Sequence, residues 1–327
     1  MDLNPSKFAL LTGAGFTKDF GGFLASEMHE RILNHRRIDE IPRVRELLLD
    51  DFDYESVYSK ILNDIQSSEQ EKQVLLEILV DVLVLLDDYT KDYCHNERES
   101  RGVAWGGVHA ILHVCNAVSN KKGYHFTTNQ DIFLERQTGR RSGFVPCIGG
   151  NQAGLRPRQQ LQSSHYISLP NAEEIERLKQ QFNSSGDLQY IKLHGSLGWI
   201  SANGGSTMVV GKAKLIEIEK EPILQLYYHE IFKPVVFQGG CHLLVVGYSF
   251  GDKHINDAIV EAAREHDLKL FVITPSGPEV LKQNLERVDP ILWKKCKYIK
   301  GGIKELSPYG QDHRTFEGYL FRTVGIK

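Results

Sequence analysis

The chain has 327 residues, 41% of them hydrophobic and 25% charged, with a formal net charge of -3 at pH 7. That length can bury a substantial core, as one large domain with insertions or as two domains, and the balanced charge excludes a global field for nucleic acid or anionic membrane. Five cysteines, Cys94, Cys115, Cys147, Cys241 and Cys296, stand far apart without a CxxC pair, so neither a disulfide framework nor a zinc ribbon is indicated and reduced cytoplasmic thiols fit best.

The amino terminus, MDLNPSKF, lacks the basic start and long apolar core of a signal peptide. Residues 8–11 read as a buried strand that runs into Gly13-Ala14-Gly15-Phe16. Glycines at such a junction let the backbone approach a pyrophosphate, with the N–H groups of the following helix facing its charge. The dehydrogenase fingerprint GxGxxG would need glycine where the chain has Lys18, and no strand with a ribose-binding acid follows about 20 residues later. The chain turns helical instead, which argues against hydride transfer.

From about residue 28 to 120 only helical patterning is visible. Asp53 is expected to cap a helix with Glu55 in its first turn, although paired carboxylates also serve acid–base chemistry. The longest apolar run, residues 74–86, carries Glu77 and Asp81 and falls short of the roughly 20 apolar residues of a spanning helix. It reads as an amphipathic helix that packs in the core or against another subunit, with Leu79 as the position to probe. His109 and His113 lie one turn apart, but no third ligand is near in sequence and no metal is expected.

Residues 124–128 return to strand and are closed by Asn129-Gln130-Asp131. Asparagine at a strand end serves as a turn or cap residue, and its amide also suits orienting a ribose hydroxyl or a water. Residues 136–169 read as a lid, a surface loop or a partner-binding insertion. A helix over 172–182 leads to YIKLHGS, where His194-Gly195 stops a short strand and leaves a histidine at the edge of a cleft. Gly204-Gly205 suits a hairpin turn, and residues 223–237 read as a helix despite Pro234. A strand over 243–246, the turn Gly247-Tyr248-Ser249-Phe250, a helix over 253–265 and a strand ending at Thr274 make a right-handed βαβ unit. WKKCKYIK, from Trp293 to Lys300, reads as a solvated basic face, and residues 314–324 as a docking helix. Four strand ends around one histidine predict a nucleotide cleft in an α/β, Rossmann-like parallel sheet flanked by helices, with an inserted helical module.

The set GAGF, TTNQD, KLHGS and GYSF, in that order, resembles the sirtuin superfamily, in which a GAG loop, a TQNxD segment, an HG dipeptide and a G-x-S segment surround NAD. The likeness spans roughly residues 8–275. It is closer to the bacterial sirtuin-like NAD glycohydrolases of antiphage defence, the HerA-associated type above all, which show GAGF, an FDYE-like segment, KLHGS and GYSFxDxHIN; here the last is GYSFGDKHIN, Gly247 to Asn256. The chain departs from protein-deacylating sirtuins in having no four-cysteine zinc module and in carrying Lys18-Asp19-Phe20-Gly21-Gly22 where they have a PDFR-like element.

The resemblance implies a single NAD-binding domain over residues 1–327, with a helical insertion at about 28–120 and a further insertion at about 136–188. NAD is then the substrate, cleaved to ADP-ribose and nicotinamide with no metal. Asn129 and His194 are the expected catalytic pair, Asn129 placing the ribose hydroxyls or the attacking water and His194 accepting a proton. Gly13, Ala14, Gly15 and Phe16 are expected to hold the pyrophosphate, Gly247, Tyr248 and Ser249 to add contacts, Asp131 to orient the Asn129 loop or the ribose, and Thr274 to meet the adenosine ribose. The implied setting is cytoplasmic NAD depletion during phage infection by a homo-oligomer regulated by a HerA-type ATPase or, alternatively, a short Argonaute, with no membrane and no direct nucleic-acid contact. Two other classes fit the same motifs: an NAD or ADP-ribose sensor, and a deacylase or ADP-ribosyltransferase.

Overall fold

The structure is a computed structural model and describes residues 7–91, 105–118, 123–137, 144–146, 159–181, 188–308 and 312–324. Among the described residues nine strands occur in chain order: β1 Phe8–Thr12, β2 Tyr124–Thr127, β3 Phe144–Pro146, β4 Ile167–Ser168, β5 Leu188–Lys192, β6 Trp199–Ile200, β7 His242–Val246, β8 Lys269–Thr274 and β9 Cys296–Lys300. Seven of them form one sheet in the order β3-β5-β2-β1-β7-β8-β9, and every neighbouring pair is parallel. β4 and β6 pair apart from it.

The strands are apolar on both faces because both faces are covered. Ala9, Leu11, Leu243 and Val245 pack with Tyr227, Phe232 and Ile259, while the alternate residues Phe8, Leu10, Leu244 and Val246 pack with Ile111 and Leu320 on the opposite face. Tyr227 and Phe232 belong to a helical run from Pro222 to Val236 that stays continuous through Pro234, with a π-helical stretch at Leu226–Phe232. The Gly204-Gly205 turn closes with a single antiparallel bridge, Ile200 to Ser206.

The helical block after β1 divides in two. Helices α1 Ala14–Lys18, α2 Ala25–Leu33, α3 Pro42–Asp50, α4 Tyr54–Asn63 and α5 Glu69–Thr90 are followed by α6 Gly106–Val118. α2 to α5 share a core of their own, with Ile32, Leu48, Ile61 and Ile78 in it. α6 instead packs on the sheet, through Val108 and Ile111 against the Phe8 and Leu10 face, so it is a flanking helix of the α/β unit. Asp53 caps α4, its Oδ1 accepting from the amides of Glu55 at 3.1 Å and Ser56 at 3.3 Å. Leu79 is 2% exposed and points into the module, so residues 74–86 pack in the core and an aspartate at Leu79 would test folding of the module, not assembly.

Two strands of the main sheet escaped the sequence reading, as did the short β4. β9 comes out of the basic WKKCKYIK stretch and β3 out of the aperiodic insertion, and both are edge strands. Cys94 and Cys147 lie outside the described residues; Cys115, Cys241 and Cys296 are free thiols. His113 Nδ1 meets Glu317 Oε1 at 3.0 Å, and the His109 and His113 rings stack at 6.1 Å.

One buried ion pair fastens the helical module to the sheet. Arg136 Nε donates to Asp87 Oδ1 at 2.6 Å, its Nη1 donates to the Gln159 carbonyl at 2.7 Å, and the two charged side chains are 0% and 1% exposed. Removing one partner strands the other charge in the interior. Asp87→Ala is therefore expected to cost about 3–5 kcal/mol, read as a lowered urea midpoint, and an unchanged midpoint would mean that water reaches the pair.

Candidate functional site

The C-terminal ends of four adjacent strands, β5, β2, β1 and β7, open into one cleft of about 580 Å³. Its floor carries Ala14 and Gly15 after β1, Asn129 and Asp131 after β2, His194 after β5, and Gly247 to Ser249 after β7. Its roof is the helical module, through Phe23 and Met28, the α4 entry from Phe52 to Glu55, and Leu83 and Leu86 of α5.

The β1 and β7 loops interlock. Gly15 N donates to Gly247 O at 2.9 Å and Gly13 N to Val246 O at 3.2 Å. Gly247 has φ +67°, and a Cβ there would stand 2.2 Å from Phe16 N; a Cβ on Gly13 would stand 2.8 Å from the Tyr248 Cα, and one on Gly15 2.8 Å from the Gly247 Cα. These glycines are needed first for the approach of two backbones. The amides of Gly13 and Gly15 are thereby committed, as is that of Phe16, which bonds Gly13 O at 2.8 Å. Phe16 also turns its ring into the core against His125, and Gly13 is buried outside the cleft lining, so within the GAGF stretch only Ala14 and Gly15 face the cleft.

Asn129 is 9% exposed, and its amide N–H donates to Thr127 Oγ1 at 3.1 Å. Its neighbours hold the loop. Gln130 Nε2 donates to the carbonyls of Val209 at 2.8 Å and His194 at 3.3 Å, which ties the Asn129 loop to the His194 turn. Asp131 accepts from Thr17 Oγ1 at 3.3 Å and the Phe133 amide at 3.1 Å, so its carboxylate joins this loop to α1. Tyr248 shares hydrogen bonds with the Asp252 backbone and Asn256 Oδ1, and Ser249 is exposed at the mouth. Thr274 ends β8 outside the cleft lining, with its hydroxyl accepting from the Ser276 amide at 3.2 Å.

His194 is 2% exposed, and its Nε2 stands 3.1 Å from the Nε2 of His254. One imidazole donates and the other accepts. The Thr128 backbone also faces the ring. Burial pulls the His194 pKa down to about 3, against Asp252, which pulls it up. Burial likewise takes His254 to about 4. Asp252 goes the other way from its own burial: desolvation pushes the carboxyl up, His194 and Lys214 pull it down, and the second effect wins at about 2. Lys214 Nζ donates to Asp252 Oδ1 at 2.6 Å and to Glu55 Oε1 at 2.9 Å, so one ammonium bridges the floor and the roof.

Lys214, His254 and the site role of Asp252 escape the sequence reading, which gives Glu55 as a first-turn acid with acid–base chemistry as the alternative. The signal available for Asp252 and His254 was their place inside GYSFGDKHIN. Lys214 left none, because it meets its partners only in three dimensions.

A parallel sheet with its cleft at the C-terminal strand ends defines a Rossmann-like α/β protein, in which ligands bind at that edge. The chain belongs to the SIR2-like domain family, whose model matches residues 125–297, from β2 into β9. Members of that family are NAD-dependent enzymes. The match includes Asn129, His194 and the whole Gly247–Asn256 stretch, and leaves out the β1 loop and the helical roof. No curated protein matches the chain.

Two predictions follow from the buried rings and the interlocked loops. His125 on β2, like His194, is held neutral by burial at about 3. An unfolded histidine titrates near 6.5, so below that pH the unfolded chain takes up protons that the folded one refuses. Stability is therefore full above about pH 6.5 and falls as the pH drops from there towards about 3; urea midpoints that stay level from about pH 7.5 to about pH 5 would show that the rings protonate in place. Gly247→Ala is expected to lower stability by about 1–3 kcal/mol through its positive φ alone, with a further loss from the clash at Phe16 N, read as a drop in melting temperature.

Proposed function

We propose that the protein hydrolyses NAD to ADP-ribose and nicotinamide. The observation that carries this reading is the meeting of Asn129 and His194, from separate strand ends, in a cleft of a SIR2-like domain. Water attacks C1′ of the nicotinamide ribose, the C1′–N bond breaks, and its electron pair stays on the nicotinamide nitrogen. The nicotinamide ring begins cationic, so it leaves neutral and needs no general acid. The ribose passes through an oxocarbenium-like state. Asn129 orients the ribose hydroxyls or the water, and His194 takes the proton that the water releases, a contribution typically about 10²- to 10⁴-fold. Ala14, Gly15, Tyr248 and Ser249 face the nucleotide, and Asp131 holds the Asn129 loop.

The motif likeness supplies the biological part of the proposal: depletion of cytoplasmic NAD in response to phage, by an oligomer under the control of a HerA-type ATPase. Hydrolysis is favoured over deacylation because the five cysteines lack the paired spacing of the deacylases' zinc module. A second reading, an NAD or ADP-ribose sensor, is favoured by the bond to His254 that already engages the His194 ring.

Mass spectrometry of NAD incubated with the protein, alone and with the product of the neighbouring gene, separates the readings. Nicotinamide and free ADP-ribose are expected, with losses of at least about 100-fold in His194→Ala and Asn129→Ala. Intact NAD in every condition, with binding seen by calorimetry, would establish the sensor instead.

A further inference from the structure

We propose that Glu55, carried by the helical module, is a positioning residue for the chemistry of the cleft: with Lys214 and Asp252 it forms a buried triad whose single net negative charge faces the proton that His194 takes up. This rests on the hydrolase reading and gives the module a part in it.

The three groups meet through one atom. Lys214 Nζ lies 2.9 Å from Glu55 Oε1 and 2.6 Å from Asp252 Oδ1, and the side chains are 10%, 24% and 12% exposed. All three line the same cleft as His194. Asp252 alone, buried this deeply, would be driven towards its neutral form, and the ammonium of Lys214 keeps it ionised. That ammonium also cancels the charge it preserves, since a carboxylate and an ammonium together are neutral. Glu55 restores the balance, because two carboxylates around one ammonium leave a net charge of minus one. The arrangement follows the logic of a carboxylate that stabilises an imidazolium without taking its proton.

The surroundings do not undo this count. His194 is faced by Asp252, Lys214 and His254 and by the Thr128 backbone. Glu55 is faced by Lys214, Asp252 and Lys212; burial pushes its carboxyl above the ordinary range, and the ammonium of Lys214 pulls it back down. Lys212 is itself paired with Asp53 at the rim, so that pair is neutral. The hydroxyls of Tyr54 and Tyr248 next to the triad are pushed well above the ordinary tyrosine range by burial and stay uncharged. His254, held neutral and 3.1 Å from His194, adds no charge.

The test is a change of charge at Glu55. The wild type carries minus one at the triad, and Glu55→Gln carries zero while its amide oxygen still accepts from Lys214. If the net charge matters, kcat at about pH 8 falls by roughly 10- to 100-fold in Glu55→Gln with KM little changed. It is kept in Glu55→Asp. A merely structural clamp predicts little change in Glu55→Gln, because the amide keeps the bond. A Glu55→Gln variant with the wild-type kcat and native circular dichroism overturns the proposal. An independent readout follows the His194 imidazole by carbon-13 NMR, with His194→Gln for assignment: its titration moves to lower pH in Glu55→Gln, and an unmoved titration also overturns the proposal. This second measurement needs no turnover. A wild type that leaves NAD intact would sink the hydrolase reading while the NMR comparison still decides the triad.

Discussion

The backbones of the β1 and β7 loops touch more closely than any side chain would allow, and the rest of the site depends on that contact. Gly247, at φ +67°, brings its carbonyl to the Gly15 amide at 2.9 Å. The turn that follows then aims Tyr248 and Ser249 into the cleft and starts the segment that delivers Asp252 and His254. Were the loops apart, Asp252 would not reach Lys214, and His254 would not reach His194. The next strand ends are tied in by side chains, with Gln130 joining the Asn129 loop to the His194 turn and Asp131 joining it to Thr17. A four-strand site is held by one backbone interlock and a few directed hydrogen bonds.

Among the contacts that fasten the helical module over this edge, two differ in character. At Asp87 and Arg136 the contact is a fully buried ion pair away from the chemistry, where breaking one side costs far more than the intact pair contributes. At Glu55 and Lys214 the contact lies in the cleft itself. The first fixes where the roof sits, and the second puts a roof charge beside the floor. The apolar residues Phe23, Met28, Leu83 and Leu86 between them lower the local dielectric, which strengthens every charge in the cleft.

The central strands were legible because they are buried on both faces, so each appears in the sequence as an unbroken apolar run before a small or polar stop. β9 was not, because an edge strand keeps one side in solvent: Lys297 and Lys300 are exposed, and edge lysines look like a solvated face until the partner strand is known. The loop residues at the strand ends were legible as candidates, Asn129 and His194 above all. Their partners were not. Glu55 and Lys214 are 159 residues apart and Asp252 and Lys214 are 38 apart, distances over which no local pattern carries information. Phe16 shows the opposite failure, a motif residue assigned to a ligand whose ring in fact fills the core.

The glycine stretch also changes what a motif of this kind means. Read as a phosphate loop, GAGF supplies free amides; in the fold, the Gly13, Gly15 and Phe16 amides are already bonded within the protein. These three amides therefore form no nest of open N–H groups, and what the stretch gives the cleft is the shape of the interlocked loops. The same burial that positions His194 also discharges it, since a ring 2% exposed titrates near 3. A buried neutral base is ready to accept a proton but poorly able to keep one, unless a negative charge is already in place when the proton arrives. The sheet side supplies Asp252, a lysine neutralises it, and Glu55 of the helical roof adds a second carboxylate to the same ammonium. The site is thus not contained in the parallel sheet, and its electrostatics are complete only when roof and floor are joined.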